Sequence, residues 1–392
     1  MTTHPTSTAG STAADRPHGR RRVVMWRDYW LAPSETFIRE TTTALTRWEP
    51  VLVGRRQFDT TLMTADVAPY SDRFAGRLAS RLPAGPRARR GWRDAVADPR
   101  VGLVHAHFGQ DGLSALPWAR AAGKPLIVSI YGMDVTSLPW RRGADGRRFR
   151  AGLAELFDYA SALVPVSQFL ADRTVELGAD PAKVRLIYPA LGLDHRPAPA
   201  GDAVGIVFVG RLVEKKGVPD LLAAVARLPE PLRSVPVTVV GYGPLRDELE
   251  RQAADLDLRV TFAGRRSSAE VAEILREHAV FCGPSQRAAN GDAEGLGMVF
   301  VEASNAGLPV VTYRHGGVPE VVADGETGLT VPEGDVAALS NALARVLADP
   351  EWGRRLGRAG QQRVNHLFDR HRHAAHLEAL YDEVAAPLGA TR

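Results

Sequence analysis

Two glutamates with seven residues between them, Glu294 and Glu302, stand in the stretch PSQRAANGDAEGLGMVFVE, which runs from Pro284 to Glu302. Gly295, Leu296 and Gly297 follow the first glutamate, and an apolar run with helical spacing follows the glycines. A helix opening near Gly297 leaves its first amides unpaired and turns its positive end toward the preceding loop, a setting for a phosphate or a sugar oxygen. Glu294 then sits in the loop at the mouth, where a carboxylate accepts hydrogen bonds from sugar hydroxyls. Glu302 lies further along the helix, where one carboxylate can take both hydroxyls of a ribose. The plain alternative is an ordinary helix start with acidic residues near its N-terminus. The pair alone does not separate the two.

Upstream, Gly210-Arg211-Leu212 and Lys215-Lys216-Gly217 follow the apolar run 205–209. Two cations around a glycine-bearing turn suit a diphosphate, with Arg211 as a fork and Lys216 as a point charge. Lys215 reads as a solvated side chain. Gly241-Tyr242-Gly243-Pro244 is a tight turn that lacks the third glycine of a dinucleotide fingerprint. Arg314-His315-Gly316-Gly317 turns into another helix, and His315 reads as a loop histidine without chemical duty. Asp255-Leu256-Asp257 has the form of a metal-binding triplet, but it closes a polar helix instead of following a strand, so it reads as solvated. No other acidic or histidine group has metal-ligand spacing. Neither metal nor cofactor is expected.

Short apolar runs alternate with amphipathic helical stretches along the chain. Val23–Trp26, Glu49–Val53, Gly102–Ala106, Pro125–Ile130, Ala162–Val166 and Val184–Tyr188 read as strands of a first sheet. Gly205–Val209, Val235–Val240, Arg259–Phe262, Val280–Cys282, Pro309–Thr312 and Gly328–Val331 read as a second. Such alternation forces parallel sheets with right-handed crossovers. The fold class is α/β: two Rossmann-like doubly wound domains facing a cleft, with ligands expected at the carboxyl ends of the strands. The expected boundaries are a disordered tail over 1–21, domains over 22–192 and 203–372 joined by a linker over 193–202, and a terminal helix over 373–392.

With 392 residues, 45% of them hydrophobic, the chain has ample core for two domains. Its one cysteine, Cys282, excludes an internal disulfide and any site built on several thiolates. No apolar run approaches the ~18 residues of a membrane span, and the first residues lack the apolar stretch of a secretory signal, so a cytoplasmic protein is expected. Charge is uneven. Residues 1–196 carry 28 Lys and Arg against 19 Asp and Glu, while the rest carries 21 against 26. The excess includes Arg73, Arg77, Arg81, Arg87, Arg89, Arg90 and Arg93, and a basic first half can rest on an anionic membrane face, hold an anionic substrate or simply be solvated. No nucleic-acid-binding pattern accompanies it.

GRLVEKKG, GYGP, FAGRRS, GPS, EGLGMVFVEASNAGLPVV, GGVPEVV and GETGLTVPEGD, in this order over about residues 204–335, resemble the family 4 glycosyltransferases. These are retaining enzymes of the GT-B fold that use nucleotide sugars. The resemblance implies that Arg211 and Lys216 neutralise the donor diphosphate, Glu294 contacts the transferred sugar and Glu302 holds the ribose. It also places the base near Gly264 and Arg265. In the first half, Val104-His105-Ala106-His107 resembles the strand-end HxH of the family, which gives His107 a role at the donor sugar and leaves His105 packed in the strand. SETFI, from Ser34 to Ile38, stands where many relatives have a glycine-rich loop. It resembles a subgroup linked to exopolysaccharide assembly, including colanic-acid transferases, and there the hydroxyls of Ser34 and Thr36 could bind phosphate. Tyr131 replaces a histidine common in relatives, and Asp134 either orients an acceptor hydroxyl or caps the next loop. The family also implies that the last helix crosses back onto the first domain.

The reaction implied is front-face transfer with retention to a hydroxyl of a glycan or lipid-linked acceptor, with a UDP-sugar as the default donor and no metal. The partners are then the nucleotide sugar, the acceptor and, through the basic half, the inner membrane face. Alternatives are a small polyhydroxylated acceptor such as an aminoglycoside intermediate, a nucleotide-sugar epimerase, a phosphorylase and a non-catalytic nucleotide-binding module.

Overall fold

The computed structural model describes residues 20–32, 35–58, 62–80, 82, 84–192, 196 and 203–385. Ser34, Arg81, nearly all of the expected tail and all of the expected linker except Arg196 lie outside them. The first domain is a five-stranded parallel sheet of β1 (Arg22–Trp26), β2 (Glu49–Val53), β3 (Val101–His107), β4 (Leu126–Ile130) and β5 (Ala162–Pro165), ordered β2-β1-β3-β4-β5. The second is a six-stranded parallel sheet of β6 (Ile206–Val209), β7 (Val237–Val240), β8 (Val260–Gly264), β9 (Val280–Cys282), β10 (Val310–Tyr313) and β11 (Gly328–Val331), ordered β8-β7-β6-β9-β10-β11. The second order is the Rossmann order 3-2-1-4-5-6, which puts a crevice at the carboxyl ends of its central strands. The expected α/β fold of two Rossmann-like domains is the one found.

The strands are apolar at successive positions because helices cover both faces. In β1, Val24 and Trp26 enter one apolar cluster, while Val23 and Met25 enter another with Leu103 and Ile127. In β6, Phe208 and Val207 likewise part to opposite faces.

Two features differ from the sequence expectation. Val184–Tyr188 is not a strand. It runs along the edge of β5 with one bridge between Leu163 and Val184 and two hydrogen bonds, from Arg185 N to Leu163 O and from Ile187 N to Pro165 O. Pro165 has no N–H to return, so the ladder stops there. A small three-stranded sheet of two-residue strands, Tyr29–Trp30, Arg56–Gln57 and Tyr70–Ser71, sits beside the first domain without any apolar run to announce it.

After β11 the chain forms three helices, Val336–Ala348, Pro350–Leu367 and Arg370–Val384. The last packs on the first domain. Tyr381 is buried edge-on against Trp48 and hydrogen-bonds His105 Nδ1 at 2.6 Å. Glu378 Oε1 accepts hydrogen bonds from the backbone amides of Thr46, Arg47 and Trp48, at 2.7, 2.5 and 3.1 Å. Glu378→Ala leaves those amides without a partner, and it should lower stability by about 2–3 kcal/mol. A urea midpoint equal to wild type would show that this helix is not held by its carboxylate.

Candidate active site

The loop after β9 ends at Gly297, whose φ of +84° turns the chain into the helix Met298–Asn305. No side chain caps this helix, so its first amides are left for a ligand or water. In the same loop Glu294 accepts a hydrogen bond from the Lys216 ammonium and a longer one, 3.4 Å, from Ser285 Oγ. Burial opposes the charge on Glu294, but Lys216 and Lys215 outweigh it and hold the carboxyl at about 2. Lys215 is not solvated, contrary to its sequence reading. It pairs with Asp292 Oδ2 at 3.0 Å, because the short helix Glu214–Lys216 lies along the loop and Gln286 N donates to Lys215 O at 2.9 Å.

The turn after β10 presses on the same loop. A Cβ on Gly316 would stand 2.1 Å from the Glu294 carbonyl oxygen, so no other residue fits there without moving it. His315, read as idle from the sequence, is buried beneath it: Glu294 N donates to its Nε2 at 3.3 Å, and its Nδ1 lies 2.7 Å from Glu333 Oε2. With Nε2 accepting, Nδ1 carries the proton and donates to Glu333. His315 therefore positions Glu294. Its only sequence signal was its place at a strand end before two glycines.

Glu302 projects from the helix into a cavity between the domains, lined also by Ser268, Val271 and Leu275 and, from the first domain, Thr36 and Arg39. Burial pushes its carboxyl up to about 7, with only Lys216 pulling the other way. Arg211 is exposed and has no ion-pair partner among the described residues. Gly264, at φ +68°, accepts a hydrogen bond from Gly241 N at 2.9 Å, and Arg265 lies over the Tyr242 ring at 5.6 Å. Asp255 and Asp257 are exposed at the amino end of β8, the edge opposite the crevice.

A second cavity brings Glu294, Leu296 and Gly297 opposite Glu35, Phe108 and Tyr131 of the first domain. Two further residues of this region, His107 and Asp134, have roles in the sequence reading. His107 is fully buried, stacked on His105, with its Nδ1 2.9 Å from the hydroxyl of Tyr131, and it is not among the residues that line this cavity. Burial holds its imidazole well below the usual range. Of its two readings, Asp134 takes the capping one. It is fully buried, and its carboxylate accepts from the amides of Gly132, Gly109 and Tyr131 at 2.7, 3.1 and 3.2 Å, tying the loops after β3 and β4 together. Thr36 opens the helix Thr36–Ala44 and lines the cavity of Glu302, while its neighbour Phe37 packs on Tyr131 at 4.8 Å.

Two residues that sequence reasoning passed over shape this wall. Glu35, the carboxylate inside the SETFI run, is held by the Arg27 guanidinium at 2.7 and 3.2 Å, and Arg27 is itself anchored on Asp111 at 2.5 Å. Phe108 adopts φ +75° and ψ +148°, a region natural only to glycine that costs about 1–3 kcal/mol. That backbone sets its ring over Arg27 at 4.6 Å and beside Tyr131 at 4.6 Å.

The domains also meet directly. Ser167 Oγ accepts from Leu170 N at the start of its own helix, Gln168–Glu176, and donates to Gly295 O across the cleft at 2.6 Å. Glu320 of the second domain accepts from Gln168 N and Phe169 N at 2.7 and 3.0 Å.

Comparison with known proteins agrees with this geometry. Residues 195–363 match the model of glycosyl transferases group 1, and residues 34–195 that of glycosyltransferase family 4. The chain is 36% identical over 269 residues to a GDP-mannose-dependent alpha-(1-6)-phosphatidylinositol monomannoside mannosyltransferase of Mycolicibacterium smegmatis, spanning 62% of this chain and 67% of that one. It is 29% identical over 248 residues to the amylovoran biosynthesis glycosyltransferase AmsK of Erwinia amylovora, spanning 61% and 60%. The chain thus spans about two thirds of the length of these curated relatives. Among solved structures, Anabaena HepE in complex with UDP and glucose superposes with a TM-score of 0.73 at 18% identity, over 93% of this chain and 100% of that one.

The raised Glu302 carboxyl gives a pH-dependent test. The folded protein holds that proton more tightly than the unfolded chain does. The stability it contributes is therefore present below 4.5 and lost as pH rises through about 7. Glu302→Gln cannot ionise. It should melt roughly 2 °C or more above wild type at pH 8 and level with it at pH 4.5. Equal melting at both would show that the carboxylate is well solvated.

Proposed function

Because the chain belongs to glycosyltransferase family 4, with a group 1 second domain, we propose that it moves a hexose or amino-hexose from a nucleotide sugar to a hydroxyl of a glycan or lipid-linked acceptor, with retention. The observation that carries this reading is the Lys216–Glu294 pair beside an uncapped helix start. Arg211 and Lys216 neutralise the diphosphate together with the amides at Gly297, Glu294 takes hydroxyls of the transferred sugar, and Glu302 takes those of the ribose. In the step itself the bond from the anomeric carbon to the β-phosphate oxygen breaks. The acceptor oxygen bonds to the same face, and its proton passes to the departing phosphate oxygen. An NMR spectrum showing an α-linked product from an α-linked donor supports retention; a β-linked product overturns it. No metal enters this reading, since Arg211, Lys216 and the amides supply the positive charge.

The Glu35, Phe108 and Tyr131 wall is the acceptor side, offering a carboxylate to a hydroxyl and ring faces to a sugar. The name of the relative AmsK supports a glycan acceptor. The second reading is a small polyhydroxylated acceptor such as an aminoglycoside intermediate, whose hydroxyls would meet the same carboxylate and ring faces.

The donor is tested by thermal shift with UDP-, GDP-, ADP- and dTDP-sugars, with and without EDTA. We read the donor as a UDP-sugar and expect a shift that survives EDTA; a shift lost in EDTA overturns the metal-free reading, and no shift with any nucleotide overturns the donor site. Donor converted without acceptor would instead indicate an epimerase. Glu294→Ala and Lys216→Ala should each lower transfer by about 10²–10³-fold with far-UV circular dichroism unchanged. Glu35→Gln should raise the acceptor KM about tenfold and leave the donor KM alone. Activity near wild type removes the residue in question from the site.

A further inference from the structure

The helix Phe74–Ala79 buries none of its six residues. Phe74 is 84% exposed, Leu78 four residues later 55%, and Leu82 just beyond the helix 59%. Phe74 and Leu78 share one helix face. A solvated loop does not ordinarily carry three large apolar side chains this open to water.

The surroundings are cationic. Arg73 and Arg77 flank Phe74. The following helix, Pro86–Ala97, turns Ala88, Trp92 and Val96 inward and leaves Arg87, Arg89, Arg90 and Arg93 exposed. Arg77, Arg90 and Arg93 have aspartate neighbours in Asp72 and Asp94, while Arg73, Arg87 and Arg89 have no ion pair among the described residues. Both helices are fastened at the carboxyl end of β2. Arg55 donates to Ser80 O at 2.7 Å and Leu82 O at 3.2 Å, and Trp92 Nε1 donates to Gly54 O at 2.7 Å. That is the edge of the first sheet from which Glu35 and Phe108 face the cleft.

We propose that this surface docks the protein on an anionic lipid bilayer, with Phe74, Leu78 and Leu82 entering the headgroup boundary and the arginines pairing with lipid phosphates. Charge selects the occupant: three exposed apolar side chains stand among arginines without ion pairs among the described residues, and a bilayer accepts so shallow an apolar insertion when cations accompany it. The inference does not depend on the identity of the donor.

Flotation of the full chain with phosphatidylglycerol-containing and pure phosphatidylcholine vesicles tests it. The protein should float with the anionic vesicles, stay behind with the neutral ones, and be released by about 0.5 M salt. The double variant Phe74→Ser/Leu78→Ser should partition about tenfold less while keeping the wild-type thermal shift with donor. That retained shift shows it folded and separates this result from any failure of the donor reading. Absence of flotation, or flotation unchanged in the variant, overturns the proposal. Equal binding to neutral vesicles overturns the electrostatic assignment. A dimer in sedimentation velocity that the variant dissolves, without vesicle binding, assigns the patch to a second copy of the chain.

Discussion

The Lys216–Glu294 ion pair joins the loops after β6 and β9, and the geometry of the cleft depends on it. A carboxylate this enclosed stays ionised only beside a cation, and Lys216 supplies most of that stabilisation, with Lys215 adding to it. The pair is maintained by main chain as much as by side chains. The Glu214–Lys216 turn runs along the β9 loop, and the Gly316-Gly317 turn bears on it from the other side. His315 fixes the Glu294 amide from below. On the proposed donor reading, a diphosphate would meet a lysine whose position is already set, which reduces the ordering required on binding.

The second domain was the more legible half for a physical reason. The residues proposed for the donor sit in contiguous loops at strand ends, so GRLVEKKG and EGLGMVFVE each carry a whole group of them in one stretch. The strands were equally legible wherever both faces are covered, because unbroken apolar runs then mark them. Val184–Tyr188 has the same composition but borders a proline-ended strand, and composition does not report the partner. Lys215 and His315 read as idle because their partners, Asp292 and Glu333, are 77 and 18 residues away.

The first domain was harder to read because its wall of the cleft is assembled from side chains on three separate segments. Glu35, Phe108 and Tyr131 are unremarkable one by one. The HxH spacing located the end of β3 correctly. It could not tell that the His107 imidazole would lie fully buried against His105 and the Tyr131 hydroxyl. Asp134 had two readings, and three backbone amides decide for the cap. The terminal helix adds a constraint from outside the domain: Tyr381 closes over His105, so the interior of the HxH strand is completed by residues near the end of the chain.

The two family models meet at residue 195, which invites the view of two halves that evolution or an engineer could exchange freely. The contacts across the cleft say otherwise. Ser167 stabilises the start of its own helix with one lone pair and holds the Gly295 carbonyl with its proton, while Glu320 caps the same helix from the opposite domain. The helix Arg370–Val384 is encoded with the second half but packs with the first. A chimera with a new acceptor half therefore needs two junctions, one near residue 195 and one before Arg370, and it must carry matched partners for Ser167 and Glu320. Swapping at the linker alone would remove the 15-residue helix that closes over the first domain along with the second domain.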